Sequence, residues 1–217
     1  MFLDFFLPNR CLKCNLIIPS DEIVCWACKS HLNFTHDDFG GKAGFYQKVI
    51  LKFPVTKAFS LMKYEKKELS QDIIHALKYH SMERVGKVLA HWVSENIDLS
   101  HQGIDILTNI PLHPKKQRER GYNQLHLFTK ILSQLQGIPY SHYLLKRNFY
   151  SKPQALKQKL DREKIQNIFS VDEKIEGKHI LLIDDVYTTG NTMSKAVWEL
   201  LKGNGNQVSV LVLAIDE

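Results

Sequence analysis

The sequence predicts an α/β domain with a largely parallel sheet, preceded by a small N-terminal zinc knuckle built on four cysteines. Three observations carry this reading. All four cysteines fall within the first 28 residues, at Cys11, Cys14, Cys25 and Cys28. Strand-like apolar runs then alternate with helical spacing, the pattern of crossover-connected parallel strands. Finally, 217 residues, 44 % of them hydrophobic and 24 % charged, supply one full core plus a small appendage and exclude two large domains. The knuckle is expected over residues 1–35 and the α/β domain over 36–217.

Taken in order, the opening Met1-Phe-Leu-Asp-Phe-Phe-Leu7 is apolar, but it holds Asp4 and lacks the basic n-region of a secretory signal. No run approaches the roughly 18 apolar residues of a membrane span, so the cytoplasm is the expected compartment. Reducing conditions there favour metal binding over disulfides. Cys11-Leu-Lys-Cys14, a ten-residue loop and Cys25-Trp-Ala-Cys28 have the spacing that folds two CxxC turns around one tetrahedral ion, zinc being the commonest. Two unconnected thiol pairs are the bland alternative. Four thiolates leave no open coordination position, so this ion is expected to stabilise the fold rather than take part in catalysis. A segment of this length has little core, and metal binding supplies much of its folding free energy.

Residues 31–44, with Asp37-Asp38 and Gly40-Gly41, read as a connector. Strands are expected over 46–53 and 55–64. Residues 71–93 have helical apolar spacing, as one helix or as two broken near His80. A buried strand over 104–110 runs into a loop opened by Pro111 and Pro114, followed by a helix over 122–135 and a further strand over 140–145. The clearest strand, 179–183, is closed by Asp184 and Asp185; a helix over 192–201 and a strand over 208–215 complete the chain. Trp26, Trp92 and Trp198 have apolar neighbours and read as packing residues. The histidines are scattered without metal-ligand spacing.

The run Ile180-Leu-Leu-Ile-Asp184-Asp185-Val-Tyr-Thr188-Thr189-Gly190-Asn191-Thr192 is the most informative. It delivers two acids to the C-terminal edge of a strand, where open α/β sheets place ligands. The polar turn beyond opens a helix, whose N-terminal amides, with the threonine hydroxyls, can surround a phosphate while Gly190 gives the backbone room to approach. The acids suit ribose hydroxyls, directly or through hydrated magnesium. The arrangement points to a phosphorylated sugar.

This segment resembles the phosphoribosyl pyrophosphate (PRPP) signature of type I phosphoribosyltransferases. With the cysteine knuckle, Leu77-Lys-Tyr-His80 ahead of Gly86, Pro111-Leu-His-Pro114 and Arg118-Glu-Arg-Gly121-Tyr-Asn-Gln124, nearly the whole chain resembles the competence protein F (ComFC-like) family, linked to DNA uptake in transformation. The resemblance implies a type I phosphoribosyltransferase sheet, the ribose and magnesium role for Asp184 and Asp185, and the 5-phosphate role for Thr188, Thr189, Gly190, Asn191 and Thr192. It sets residues 111–120 over the pyrophosphate end, where Lys115, Lys116, Arg118 and Arg120 could neutralise charge. Ser151-Lys-Pro-Gln154 and the run from Asp161 to Phe169 are looser matches to the family pattern, and no role is assigned to Arg162 or Asn167.

Residues 111–162 hold 11 lysines and arginines against two acids, although the whole chain carries a formal charge of only +6. Lys146, Arg147, Lys152, Lys157 and Lys159, with nearby tyrosines, are candidates for non-specific contact with single-stranded DNA. Expected partners are a phosphoribosyl ligand, single-stranded DNA and, by resemblance, competence or recombination proteins. No residue cluster specifies an acceptor nucleophile. A nucleotide-salvage phosphoribosyltransferase and a non-catalytic zinc-containing adaptor for DNA or protein therefore stand as alternatives.

Overall fold

A computed structural model describes residues 8–39, 41, 44–79, 83–148, 168–171 and 175–216. In chain order the elements are α1 (Trp26–Lys29), α2 (Phe45–Ile50), β1 (Ala58–Lys63), α3 (Leu69–Tyr79), α4 (Glu83–Asn96), β2 (Ile106–Asn109), α5 (Pro114–Arg120), α6 (Gln124–Gln136), β3 (Leu145–Arg147), β4 (Phe169–Val171), β5 (His179–Tyr187), α7 (Asn191–Leu200) and β6 (Gln207–Ile215). Strands β1, β6, β5 and β2 lie in that order in one sheet, every pairing parallel, and β3 with β4 forms an antiparallel ribbon.

Strands β5 and β6 are nearly continuous apolar runs because helices cover both faces of the sheet. The twofold alternation of a strand then divides the core. Leu181, Ile183, Leu211 and Leu213 face a cluster built from α3, α4, α6 and, from the knuckle, Cys11, Ile18, Ile23, Val24 and Leu32. Ile180, Leu182, Val208, Val210 and Val212 face Phe45 and Val49 of α2, Met193, Ala196, Val197 and Leu200 of α7, and Leu145 and Phe169 of the ribbon. The knuckle thus packs on its own chain.

Neither sheet edge is bare. Residues 33–35 pair antiparallel with β1 through a Phe34–Met62 bridge, with Thr35 N donating to Leu61 O at 3.1 Å and Lys63 N to Asn33 O at 2.8 Å. Along β2, Leu107 N donates to Pro139 O at 2.8 Å and accepts on its own carbonyl from Ser141 N at 2.9 Å.

Several expectations are corrected. Residues 46–53 do not form a strand; α2 occupies this stretch, because Phe45 and Val49, four apart, bury one helical face. The loop after Pro111 contains α5, opened by Pro114 with the His113 ring capping Lys115 N and closed by Gly121 at φ 77°, a proline-in, glycine-out pattern. Regular structure in 140–145 begins only at Leu145, and Tyr140 makes an isolated bridge to Leu107. Strand β5 continues past the acids to Tyr187. Trp92 is buried, but Trp26 and Trp198 are 84 % and 51 % exposed: α1 is a single turn that buries none of its residues, and Trp198 lies opposite the stripe that α7 buries. The helical stretch over 71–93 takes its two-helix form, as α3 and α4.

On the β2 side, His126 stacks on His142, ring centroids 4.0 Å apart and planes 16° apart, and His142 Nδ1 meets Asn109 Oδ1 at 2.8 Å. Burial, then the charges of His126 and Lys130, hold His142 down to about 4 from its ordinary 6.5. Because the folded state binds this proton more weakly than the unfolded chain, the stabilising contribution is complete above about pH 6.5 and is lost as pH falls towards 4. His142→Phe keeps the stack without the titration and should flatten this acid limb, worth about 1–2 kcal/mol. Thermal midpoints measured from pH 7 to 4 check this; an unchanged slope in the variant would rule His142 out as its source.

Candidate functional site

The two acids sit near the C-terminal end of β5, in the interior of the sheet. Asp185 is buried, and a buried carboxylate needs partners to stay charged. It has two: Gln124 Nε2 donates to its Oδ2 at 2.7 Å, and Lys78 Nζ lies 3.2 Å from the same oxygen. The Gln124 amide is held from its other side, where Arg120 Nη1 donates to Oε1 at 3.0 Å. Gln124 is the first residue of α6, and Asn123 fixes that start by accepting from Leu125 N at 3.0 Å and donating to Ile110 O at 3.2 Å. One polar chain therefore runs from Arg120 through Gln124 to Asp185 and Lys78, joining α5, α6, β5 and α3.

Asp184 is treated differently. Its Oδ1 accepts from the Asp185 backbone N–H at 2.9 Å. Burial first, and the Asp185 charge second, push its carboxyl up to about 8, against the opposing pull of that hydrogen bond and of Lys78 and Arg147. Arg147 comes from β3, its guanidinium 5.4 Å over the Phe169 ring; burial lowers its pKa while the Asp184 charge raises it. Two adjacent carboxyls in unlike surroundings, each facing a cation, form a charged cleft able to bind a polyhydroxy or cationic group.

Beyond Tyr187 the chain turns through exposed Thr188 and Thr189 into α7. Gly190, the residue before the helix, has φ 76°, and a Cβ there would stand 2.5 Å from the Tyr187 hydroxyl. Backbone conformation and close approach both require glycine. Glycine offers no capping side chain, and Thr189 Oγ1 reaches Asn191 N only at 3.5 Å, so the amides of the first helical turn remain open to an anion. Asp184 and residues 186–193 enclose a cleft of about 60 Å³. The acids and the Thr-Thr-Gly-Asn-Thr turn thus share one edge of the sheet.

The basic candidates separate. Arg120 is bonded into the site, whereas Lys115, Lys116 and Arg118 lie on the exposed side of α5, with Lys115 3.9 Å from Glu119. Lys146 is exposed on β3. Arg147, the other DNA candidate on this strand, is half-buried, with its guanidinium over the Phe169 ring and within the electrostatic reach of Asp184. Lys152, Lys157 and Lys159 fall outside the described residues. The sequence reading gave no role to Lys78 or Gln124, and named Arg147 only as a DNA candidate. Lys78 and Gln124 stood in quoted motifs, but their partner Asp185 is 61 residues beyond Gln124, and no spacing rule reaches that far.

At the knuckle, the Sγ atoms of Cys11, Cys14, Cys25 and Cys28 lie within 4.8 Å of one another, Cys14 and Cys25 at 3.7 Å. Thiolates about 2.3 Å from a tetrahedral zinc stand about 3.8 Å apart, so the four sulfurs are placed to coordinate one metal ion. Cys25 Sγ also accepts from Cys28 N at 3.4 Å, the tight turn that a CxxC spacing produces.

Residues 125–216 match the phosphoribosyl transferase domain. This span includes Arg147 and the run from Asp184 to Thr192, and leaves Lys78, Arg120 and Gln124 outside. The chain is 38 % identical over 110 residues to competence protein ComFC of Bacillus subtilis, covering 50 % of this chain and 43 % of that protein. It is 24 % identical over 147 residues to the DNA utilization protein YhgH of Salmonella typhi, 65 % of each chain. To competence protein F of Haemophilus influenzae it is 32 % identical over 109 residues, 48 % of each. The chain thus spans less than two thirds of each of these relatives. Among solved structures, adenine phosphoribosyltransferase from Thermoanaerobacter pseudethanolicus aligns with a TM-score of 0.41 at 12 % identity, over 78 % of this chain and 98 % of that one. The Trypanosoma brucei adenine phosphoribosyl transferase aligns at 0.41 and 13 %, over 74 % and 83 %. By sequence, the chain is homologous to competence proteins and carries a phosphoribosyltransferase-like domain. Among the described residues, no helix is long and apolar enough to cross a membrane.

Proposed function

We propose that this protein binds PRPP, or a related phosphoribosyl compound, together with magnesium, and serves natural transformation in the cytoplasm by handling single-stranded DNA. The observation that carries the ligand reading is the polar chain from Arg120 through Gln124 to Asp185, set beside an uncapped helix N-terminus on the same sheet edge. Asp184 and Asp185 take the ribose hydroxyls. Thr188, Thr189, Gly190, Asn191 and Thr192 take the 5-phosphate through backbone amides and hydroxyls. Arg120 and Arg147 bring positive charge to the cleft, while Lys115, Lys116 and Arg118 form a basic approach for pyrophosphate.

Hard carboxylate oxygens suit magnesium, and Asp184, a carboxyl raised to about 8 chiefly by burial, is one that a bound cation would help to ionise. When bound between these acids and the ligand, magnesium would neutralise phosphate charge. The four cysteines hold a structural zinc, and residues 1–35 and 36–217 are the two parts of the chain. The competence and DNA-utilization names of the relatives, and the basic stretch after Pro111, support the DNA role.

Calorimetry against PRPP, AMP and ribose 5-phosphate, with and without magnesium, tests the ligand site. Saturable magnesium-dependent binding is expected, and no binding of any phosphoribosyl compound would refute the assignment. Base-dependent pyrophosphate release would make the protein a salvage enzyme; binding without turnover would make it a ligand-regulated competence protein. Titration with labelled single-stranded DNA at two salt concentrations should show salt-sensitive affinity, and no binding at low salt would remove the DNA role.

A further inference from the structure

The anion-binding turn is touched by an element outside the matched phosphoribosyl transferase span. Lys52, just beyond α2, extends its ammonium to the Thr189 carbonyl at 2.7 Å and lies 5.6 Å over the Tyr187 ring. Phe45 packs edge-on against that ring, centroids 5.0 Å apart, so α2 holds both the base of the turn and the residue that reaches over it. Among the described residues, no ion pair is formed by Lys52. Its charge is spent on a neutral carbonyl in the middle of a turn whose amides are open. The Tyr187 hydroxyl, buried and lining the same cleft, has no hydrogen-bond partner among the described residues. Among the described residues, then, the Tyr187 hydroxyl that lines the cleft lacks an acceptor, and the Lys52 ammonium, bonded to the carbonyl of the cleft residue Thr189, lacks a counter-charge; a doubly charged oxyanion in the cleft would supply both.

We propose that Lys52 is a positioning and specificity residue of the phosphate turn. By holding the Thr189 peptide and placing positive charge behind it, Lys52 makes the turn select a phosphate monoester dianion over a singly charged diester. This inference rests on reading the turn as the 5-phosphate site, and goes beyond it by naming a residue of the α2–β1 connection as the one that senses ligand charge.

The test compares ribose 5-phosphate with its methyl diester, which carries one charge less, by calorimetry at a single pH. The proteins are the wild type, Lys52→Gln, Lys52→Arg and the control Lys48→Gln. Lys48 is exposed on α2. Lys52→Gln should weaken ribose 5-phosphate binding about tenfold, the scale of one lost charge-assisted contact, and the diester by much less. Lys52→Arg should restore affinity to within about threefold, and Lys48→Gln should match the wild type. Equal losses for both ligands in Lys52→Gln would reduce Lys52 to a structural prop, and unchanged affinity would remove it from the site. Either result overturns the inference while leaving the phosphate turn standing. A wild type that binds neither ligand takes down both. Thermal midpoints of each variant show whether a loss reflects unfolding.

Discussion

Replacing Asp184 with asparagine should stabilise the ligand-free protein at alkaline pH and strip it of affinity for phosphoribosyl ligands. Asp184 has an ordinary carboxyl value of 3.8 in the unfolded chain and about 8 in the fold, where burial and the Asp185 charge disfavour ionisation. Between these values the folded state holds a proton that the unfolded chain has released, so stability falls as pH rises through the window and the full penalty is present above it. The opposing pull of Lys78 and Arg147 is already part of that value; because Asp184 keeps partial contact with solvent, the cost is about 2 kcal/mol, or about 4–8 °C in Tm for a chain of this size. Thermal unfolding in magnesium-free buffer at pH 5, 7 and 9 should show Asp184→Asn gaining on the wild type as pH increases. A gap that closes or reverses at pH 9 would sink the assignment. Ligand affinity should move the other way, falling about 100-fold if two charge-assisted hydrogen bonds of about 1.5 kcal/mol each are weakened. The site gives up stability for function, as binding sites commonly do.

Cys28→Ser should lose the metal and destabilise the whole molecule, not only its first 35 residues. Structural zinc in small fingers contributes on the order of 10 kcal/mol to folding, and the knuckle residues Cys11, Ile18, Ile23, Val24 and Leu32 are packed into the cluster that contains Val85, Leu89 and Phe128. Losing the knuckle uncovers that face of the sheet. A fall of about 10 °C or more in Tm, a cost of roughly 4 kcal/mol, should accompany the loss of one equivalent of zinc. Metal analysis paired with calorimetry decides it: a variant that keeps its zinc, or that loses it without a change in unfolding, would show that the sulfurs do not hold the fold together.

Much of the fold was legible in the sequence because its strongest signals are local. The apolar run of β5, the acids after it and the Gly190 turn are contiguous, and a parallel sheet covered on both faces leaves an unbroken hydrophobic signature. The knuckle was equally readable, since CxxC spacing is a short-range constraint. Helix α2 was not: Phe45 and Val49 are two apolar anchors in six residues, too few to separate a helical from a strand period. The acid pair's partners were also out of reach. Lys78, Gln124 and Arg147 become site residues only when α3, α6 and β3 assemble, and Arg147 sat in a basic stretch whose average charge suggested a different surface.

The pairing of residues 33–35 with β1 has a consequence for the integrity of the molecule in a crowded solution. An open parallel sheet has two flanks of unused peptide groups, each a template for another chain. On one flank residues 139–141 provide the cover. On the other, protection is handed to the strip that emerges from the cysteine knuckle. The cysteine knuckle therefore guards a sheet edge as well as a core: wherever residues 33–35 are displaced, β1 presents its peptide groups as a seed for edge-to-edge growth.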